Sequence, residues 1–192
     1  MKKVAFIVPG FFQSTSEEPY QTIGGLFREK GFTVIFVDIH WKNRQIADYV
    51  DQFRSSFSKN RGELNVFFGF SLGGTAALLA SPEFRPDALY LCSMAPYFKE
   101  DISVISEEDR VVMGKRRWDD IKDCSFDSAA KNISCPVTIF FGGNEKEFVK
   151  RRVQLAEEKI KHVTVIEIPD VGHKISDERY LASIKNNLDN SY

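Results

Sequence analysis

The chain has 192 residues, with 26 Lys plus Arg against 27 Asp plus Glu and a formal net charge of −1 at pH 7. That balance argues against a broad nucleic-acid or anionic-membrane footprint, which would need positive charge concentrated on one surface. Hydrophobic residues at 43% and aromatics at 13%, with 17 Phe, exclude a disordered chain and supply the apolar surface for one sizeable core.

Short, nearly continuous apolar runs alternate with longer segments of helical spacing, the pattern of β-α units around a parallel sheet. In chain order, the first strand is expected over 4–8, followed by a helix over 19–30 that stops at Gly31. A strand over 32–39 leads into the stripe Ile46, Tyr49, Val50, Phe53 and Phe57, a second helix. The third strand, 64–70, opens a helix at Gly73-Gly74 that should end before Pro82, because the residue preceding a proline disfavours helical backbone. Strands follow over 88–94, 137–141 and 163–168. The last two precede stripes at Val149, Val153, Ala156 and Ile160 and at Tyr180, Leu181, Ile184 and Leu188. Most of these runs do not alternate, so helices should cover both faces of the sheet.

Residues 99–134 hold no convincing strand, although a helix is expected near 107–117. A connection of 36 residues far exceeds the usual roughly two to six, which marks it as a functional, lid-like insertion within a single domain spanning 1–192. Two basic triplets, Lys115-Arg116-Arg117 and Lys150-Arg151-Arg152, read as solvated helix faces balanced by nearby acids. The first would recognise an acidic substrate if it lay in a flap over the site.

No run reaches the roughly 18 to 20 apolar residues of a membrane span. The five apolar residues between Lys3 and Pro9 are too few for a secretory leader. Cys92, Cys124 and Cys135 are odd in number and lack zinc-ligand spacing, so they are expected as reduced thiols in a cytoplasmic protein without a metal or cofactor. The Asn132-Ile133-Ser134 sequon is then a chance match.

The third strand runs into Gly69-Phe70-Ser71-Leu72-Gly73 and then into a helix. Gly-x-Ser-x-Gly in that setting lifts a serine hydroxyl above the sheet on a sharp turn, with glycines where a Cβ would collide with backbone. A hydroxyl becomes a nucleophile only when a base removes its proton. Of three histidines, His173 follows the sixth strand at the sheet's carboxyl edge, where parallel α/β sheets carry their sites, and is preferred over His40 and His162. The imidazole needs a carboxylate to hold its tautomer. Glu145, just past the fifth strand, ranks first, with Asp170 and Glu147 as rivals. The oxyanion requires backbone N–H donors, assigned to Leu72 after the serine and Phe11 in the loop after the first strand. Phe12, Pro96, Tyr97 and Phe98 fall on loops expected to border the site and to contact substrate.

These motifs resemble the α/β-hydrolase superfamily from Lys3 to about Leu188. Gly69 to Gly73 match its nucleophile elbow, Gly142 to Glu145 its Gly-x-x-acid segment, and Gly172-His173 its Gly-His before the last helix. Pro9-Gly10 stands where the family often has His-Gly, and Glu where it more often has Asp. The resemblance implies a three-layer α/β/α sandwich with an all-parallel six-stranded sheet in the order 2-1-3-4-5-6 and a reduced cap. The expected activity is cofactor-independent hydrolysis of a small-molecule ester or thioester through a Ser-His-Glu triad. Acyl transfer, amide or lactone cleavage by the same triad, and a non-catalytic binding protein on this fold are the alternatives.

Overall fold

A computed structural model describes all residues from Met1 to Tyr192. Its strands are β1 (Lys3–Val8), β2 (Thr33–Phe36), β3 (Leu64–Phe70), β4 (Ala88–Cys92), β5 (Val137–Gly142) and β6 (Val163–Ile168). Its helices are α1 (Glu18–Glu29), α2 (Ile46–Asn60), α3 (Leu72–Phe84), α4 (Glu107–Met113), α5 (Lys115–Ile121), α6 (Phe126–Lys131), α7 (Glu147–Lys159) and α8 (Glu178–Ser191). The strands form one sheet in the order β2-β1-β3-β4-β5-β6, every pair parallel, as the sequence leads one to expect.

The pleat divides the core. Val4, Phe6 and Val8 of β1 face one layer with α2, α3 and α7, while Ala5 and Ile7 face the layer of α1 and α8. Much of the phenylalanine content fills the first layer, where Phe6, Phe53 and Phe67 pack with centroids 4.5 to 5.8 Å apart in tilted and edge-to-face arrangements. The central strands are almost wholly buried, whereas β2 and β6 at the sheet edges are only partly so.

Beyond shifts of one or two residues, such as β4 ending at Cys92 rather than at 94, three element boundaries differ from expectation. β2 spans four residues, Thr33–Phe36, rather than 32–39, although Val37 N–H still reaches the Ile7 carbonyl at 2.9 Å. α3 runs through Pro82 to Phe84. Proline removes the helical hydrogen bond to the Leu78 carbonyl, but only two residues of helix follow it, so little of the helix is at stake. The single helix expected over 107–117 is divided into α4 and α5 at Gly114, whose φ of +79° suits glycine.

Residues 99–134 form a 3₁₀ turn (Lys99–Asp101) followed by α4, α5 and α6. The basic triplets are not the solvated faces expected of them, because each buries its last arginine. Arg117 donates to Tyr49 Oη and to the carbonyls of Trp41 and Met113, and its guanidinium lies 4.3 Å from the centroid of Phe11. Arg152 pairs with Asp101 between the rings of Phe98 and Phe126, 5.1 and 4.3 Å away. Asp120 accepts the N–H groups of Ile46 and Ala47 at 2.7 and 3.1 Å, capping α2 from the insertion. Side chains on both sides therefore tie this segment to the sheet layers. All three cysteines are buried and unpaired. No helix is long and apolar enough to cross a membrane.

Candidate active site

Ser71 occupies the turn between β3 and α3 with φ 53° and ψ −123°, a region that ordinary side chains seldom adopt and that costs on the order of 1–3 kcal/mol. Three hydrogen bonds hold it there. Ser71 N–H donates to the Cys92 carbonyl at 2.8 Å, and its own carbonyl accepts from Ala95 and Thr75 N–H at 3.1 and 3.2 Å. The flanking glycines are required by space: a Cβ on Gly69 would lie 2.5 Å from the Gly73 carbonyl oxygen, and one on Gly73 2.2 Å from that of Pro9.

His173 Nε2 lies 2.8 Å from Ser71 Oγ. On the other edge of the ring, Nδ1 lies 3.0 and 3.2 Å from the two carboxylate oxygens of Glu145. A carboxylate accepts, so Nδ1 carries the hydrogen and Nε2 presents its lone pair to the serine. The Glu145 side chain is 1% exposed and that of His173 43%, so the acid is shielded while the base faces the cleft. The Phe70 ring packs beside the imidazole at 5.0 Å.

Glu145 meets His173 because the loops after β5 and β6 are stitched together. Asn144 N–H donates to the Val171 carbonyl at 2.8 Å, and Gly142 passes so close that a Cβ would stand 2.1 Å from the same oxygen. The rivals lie elsewhere: Asp170 is exposed, with its carbonyl taken by Arg179, and Glu147 is exposed at the start of α7. His40 and His162 are exposed too, and neither lines the cavities that border Ser71.

In the loop after β1, Gln13 N–H donates to the Gly10 carbonyl at 3.0 Å, and Gly10 N–H donates to Tyr20 Oη at 2.8 Å. Phe11 and Leu72, the residues assigned as oxyanion donors, border a cavity of about 280 Å³ together with Ser71, His173, Gln13, Phe70, Tyr97 and Val112. A second cavity, about 400 Å³, meets Ser71 and His173 from the side of Pro96, Tyr97, Asn144, Lys146 and Phe148.

Of the four residues expected to contact substrate, Pro96 and Tyr97 line the cleft. Phe12 is 69% exposed, its ring tilted against that of Phe11 with centroids 4.1 Å apart. Phe98 does not fit that expectation: it is fully buried, packed edge-on against Phe126 at 5.4 Å, and supports the insertion from the core. Residues that sequence reasoning missed include Asp109 and Lys146, paired at 2.8 Å across the cleft between α4 and the β5-α7 loop. Burial pushes the Asp109 carboxyl up, but the bonds from Lys146 and Ser106 outweigh it and hold the group below its ordinary range. Burial, with the nearby Asp109 charge, pushes the Tyr97 phenol up, so it stays protonated. The only sequence signal for this pair is the adjacency of Lys146 to Glu145.

No protein-family model and no curated protein matches the chain. Solved structures do resemble it. Est1E from Butyrivibrio proteoclasticus superimposes with a TM-score of 0.82 at 15% identity, over 99% of this chain and 86% of that one. Alpha/beta hydrolase domain-containing protein 10 from mouse gives 0.81 at 14% identity, over 97% and 88%. The Paleococcus ferrophilus monoacylglycerol lipase gives 0.73 at 15%, over 100% and 97%. With this strand order, this parallel pairing and these likenesses, the chain has the α/β-hydrolase fold.

Proposed function

We propose that the chain is a cofactor-independent serine hydrolase that cleaves a carboxylic ester or thioester of a small molecule. The observation that carries this reading is the continuous array of Ser71 Oγ, His173 and Glu145 at the carboxyl edge of the sheet, open to a cleft. The names of two similar structures, a hydrolase-domain protein and a lipase, agree with it.

In this reading Ser71 Oγ attacks the substrate carbonyl while His173 Nε2 takes its proton, and Glu145 stabilises the resulting imidazolium. The carbonyl oxygen becomes an oxyanion held by the N–H groups of Phe11 and Leu72. The tetrahedral species collapses as Nε2 protonates the leaving alcohol or thiol, which leaves an acyl-serine. Water then attacks the acyl carbon with His173 again as base, and the acid departs. The strained serine backbone fits this role, since bent turns of this kind project a side chain away from the sheet. The chain acts as one domain, in which residues 99–134 serve as a short lid through Asp109 and Val112, and its buried thiols suit a reducing cytoplasm.

Ser71→Ala is expected to lower kcat on a short p-nitrophenyl ester by about 10⁴-fold or more while the melting temperature holds. Full activity in that variant would refute the assignment.

A further inference from the structure

We propose that the side-chain amide of Gln13 is a third hydrogen-bond donor to the substrate oxygen on which negative charge develops, oriented by the Tyr20 hydroxyl. The inference rests on the hydrolase reading above and adds a residue to it.

The orientation follows from a directional chain of hydrogen bonds. Gly10 N–H donates to Tyr20 Oη at 2.8 Å in a buried contact. Tyr20 Oη in turn lies 2.6 Å from Gln13 Oε1. A phenol has a single hydrogen, and Gln13 Oε1 is the acceptor that receives it. The two ends of a glutamine amide are told apart by their partners, so this contact fixes the oxygen towards Tyr20 and the NH₂ group away from it. Burial pushes the Tyr20 phenol well up, so the donor persists at neutral and mildly alkaline pH.

The freed end has no acceptor in the protein. Gln13 uses its backbone N–H on Gly10, its carbonyl on Trp41 Nε1 and its Oε1 on Tyr20, and Nε2 bonds to nothing. Nor is Nε2 sealed in the core, since the buried unpaired polar atoms belong to Arg152 and Asn187. Gln13 borders the cavity that also holds Ser71, Phe11 and Leu72, whose remaining walls are Phe70, Tyr97, Val112 and the His173 ring. Two N–H bonds therefore belong to a residue on the wall of the cavity that holds Ser71, where a fixed donor strengthens as charge appears. Gly10 makes this placement sterically possible. A Cβ there would lie 2.3 Å from Gln13 Oε1, so only glycine lets the glutamine fold back over its own loop.

Two variants separate a donor from a mere anchor of Tyr20. Gln13→Glu keeps an oxygen for the Tyr20 hydroxyl and replaces NH₂ with a second oxygen. Gln13→Met removes both functions at similar length. The full-length chain and both variants are compared for the rate at which a fluorophosphonate labels Ser71, whose P=O oxygen takes the oxyanion position, and for kcat and KM on a p-nitrophenyl ester. Both variants are expected to lose about tenfold to 10²-fold in labelling rate and kcat, with KM within about twofold, and Glu should be at least as impaired as Met. A Glu variant that behaves as wild type while Met is impaired would reduce Gln13 to an anchor and overturn the proposal. Equal labelling of all three chains would overturn it as well, leaving the hydrolase reading intact. An unlabelled wild-type chain would remove both.

Discussion

Gly73→Ala places a methyl group 2.2 Å from the Pro9 carbonyl oxygen, 2.6 Å from that of Val8 and 3.0 Å from the Pro9 carbonyl carbon. All three obstacles are backbone, so no rotamer change relieves them. Ordinary contact begins near 3.4 Å. The elbow and the loop carrying Phe11 must therefore separate by about 1 Å, the displacement needed to bring such atoms to van der Waals distance. Overpacking of this kind costs about 1–3 kcal/mol. In a chain of this size that lowers the melting temperature by roughly 3–10 °C. A shift of about 1 Å between nucleophile and oxyanion donors costs on the order of 10² in rate. The assay is kcat/KM on a p-nitrophenyl ester together with a thermal melt. Gly25→Ala serves as the control: it lies inside α1, and a Cβ there meets nothing within 4 Å. That change is expected to raise stability by about 0.5–1 kcal/mol and leave the rate alone. A Gly73→Ala chain with wild-type kcat/KM and an unchanged melting temperature would refute the packing argument and the oxyanion assignment built on it.

Glu145→Gln removes the charge that stabilises the imidazolium and the preference for hydrogen on Nδ1, so kcat should fall by about 10⁴-fold with KM little changed. A near-normal kcat would transfer the acid role elsewhere. Asp101→Ala strands the Arg152 charge in a site where Arg152 Nε and Nη1 already lack partners, and should cost about 3–5 kcal/mol in urea unfolding. Combining it with Arg152→Met should recover most of that loss, whereas additive costs would show that the two side chains do not act as a pair. At the start of α6, Glu100 accepts from Ser125 Oγ and from the N–H groups of Phe126 and Asp127. Burial pushes its carboxyl up, but these bonds prevail and hold it below the ordinary value of 4.5. Its folded pKa thus lies below the unfolded one, so its contribution is present above the ordinary range and is lost as pH falls through the folded value. Between about pH 6 and pH 3 the urea midpoint of wild type should fall further than that of Glu100→Gln, and parallel curves would contradict this.

Features encoded locally could be read from the sequence directly. The elbow is legible because Gly69, Ser71 and Gly73 act within one turn, and the β-α units are legible because six buried runs alternate with helical stripes, whereas the sheet order comes only from the family resemblance those motifs carry. Choosing among Glu145, Asp170 and Glu147 needs more than local information, since the answer depends on how Gly142 and Asn144 dock against Val171. The basic triplets mislead for the same reason. A charge pattern describes one helix and says nothing of what covers it, and the partners of Arg117 and Arg152 (Trp41, Tyr49 and Asp101) are distant in the chain. Tyr97 and Phe98 are neighbours of similar character, yet one lines the cleft and the other fills the core. Gln13 offers no recognisable motif at all; its orientation exists only because Tyr20 on α1 reaches back to the loop after β1.

The most direct test of the account is peptide mapping of the folded chain after exposure to a fluorophosphonate. A nucleophilic Ser71 activated by His173 predicts one phosphonyl group per chain, on the peptide that contains Ser71, with no labelling of Ser71→Ala. An unlabelled folded chain, or a label on another residue, would contradict the claim that this array is a working triad and would favour a binding protein on the same fold.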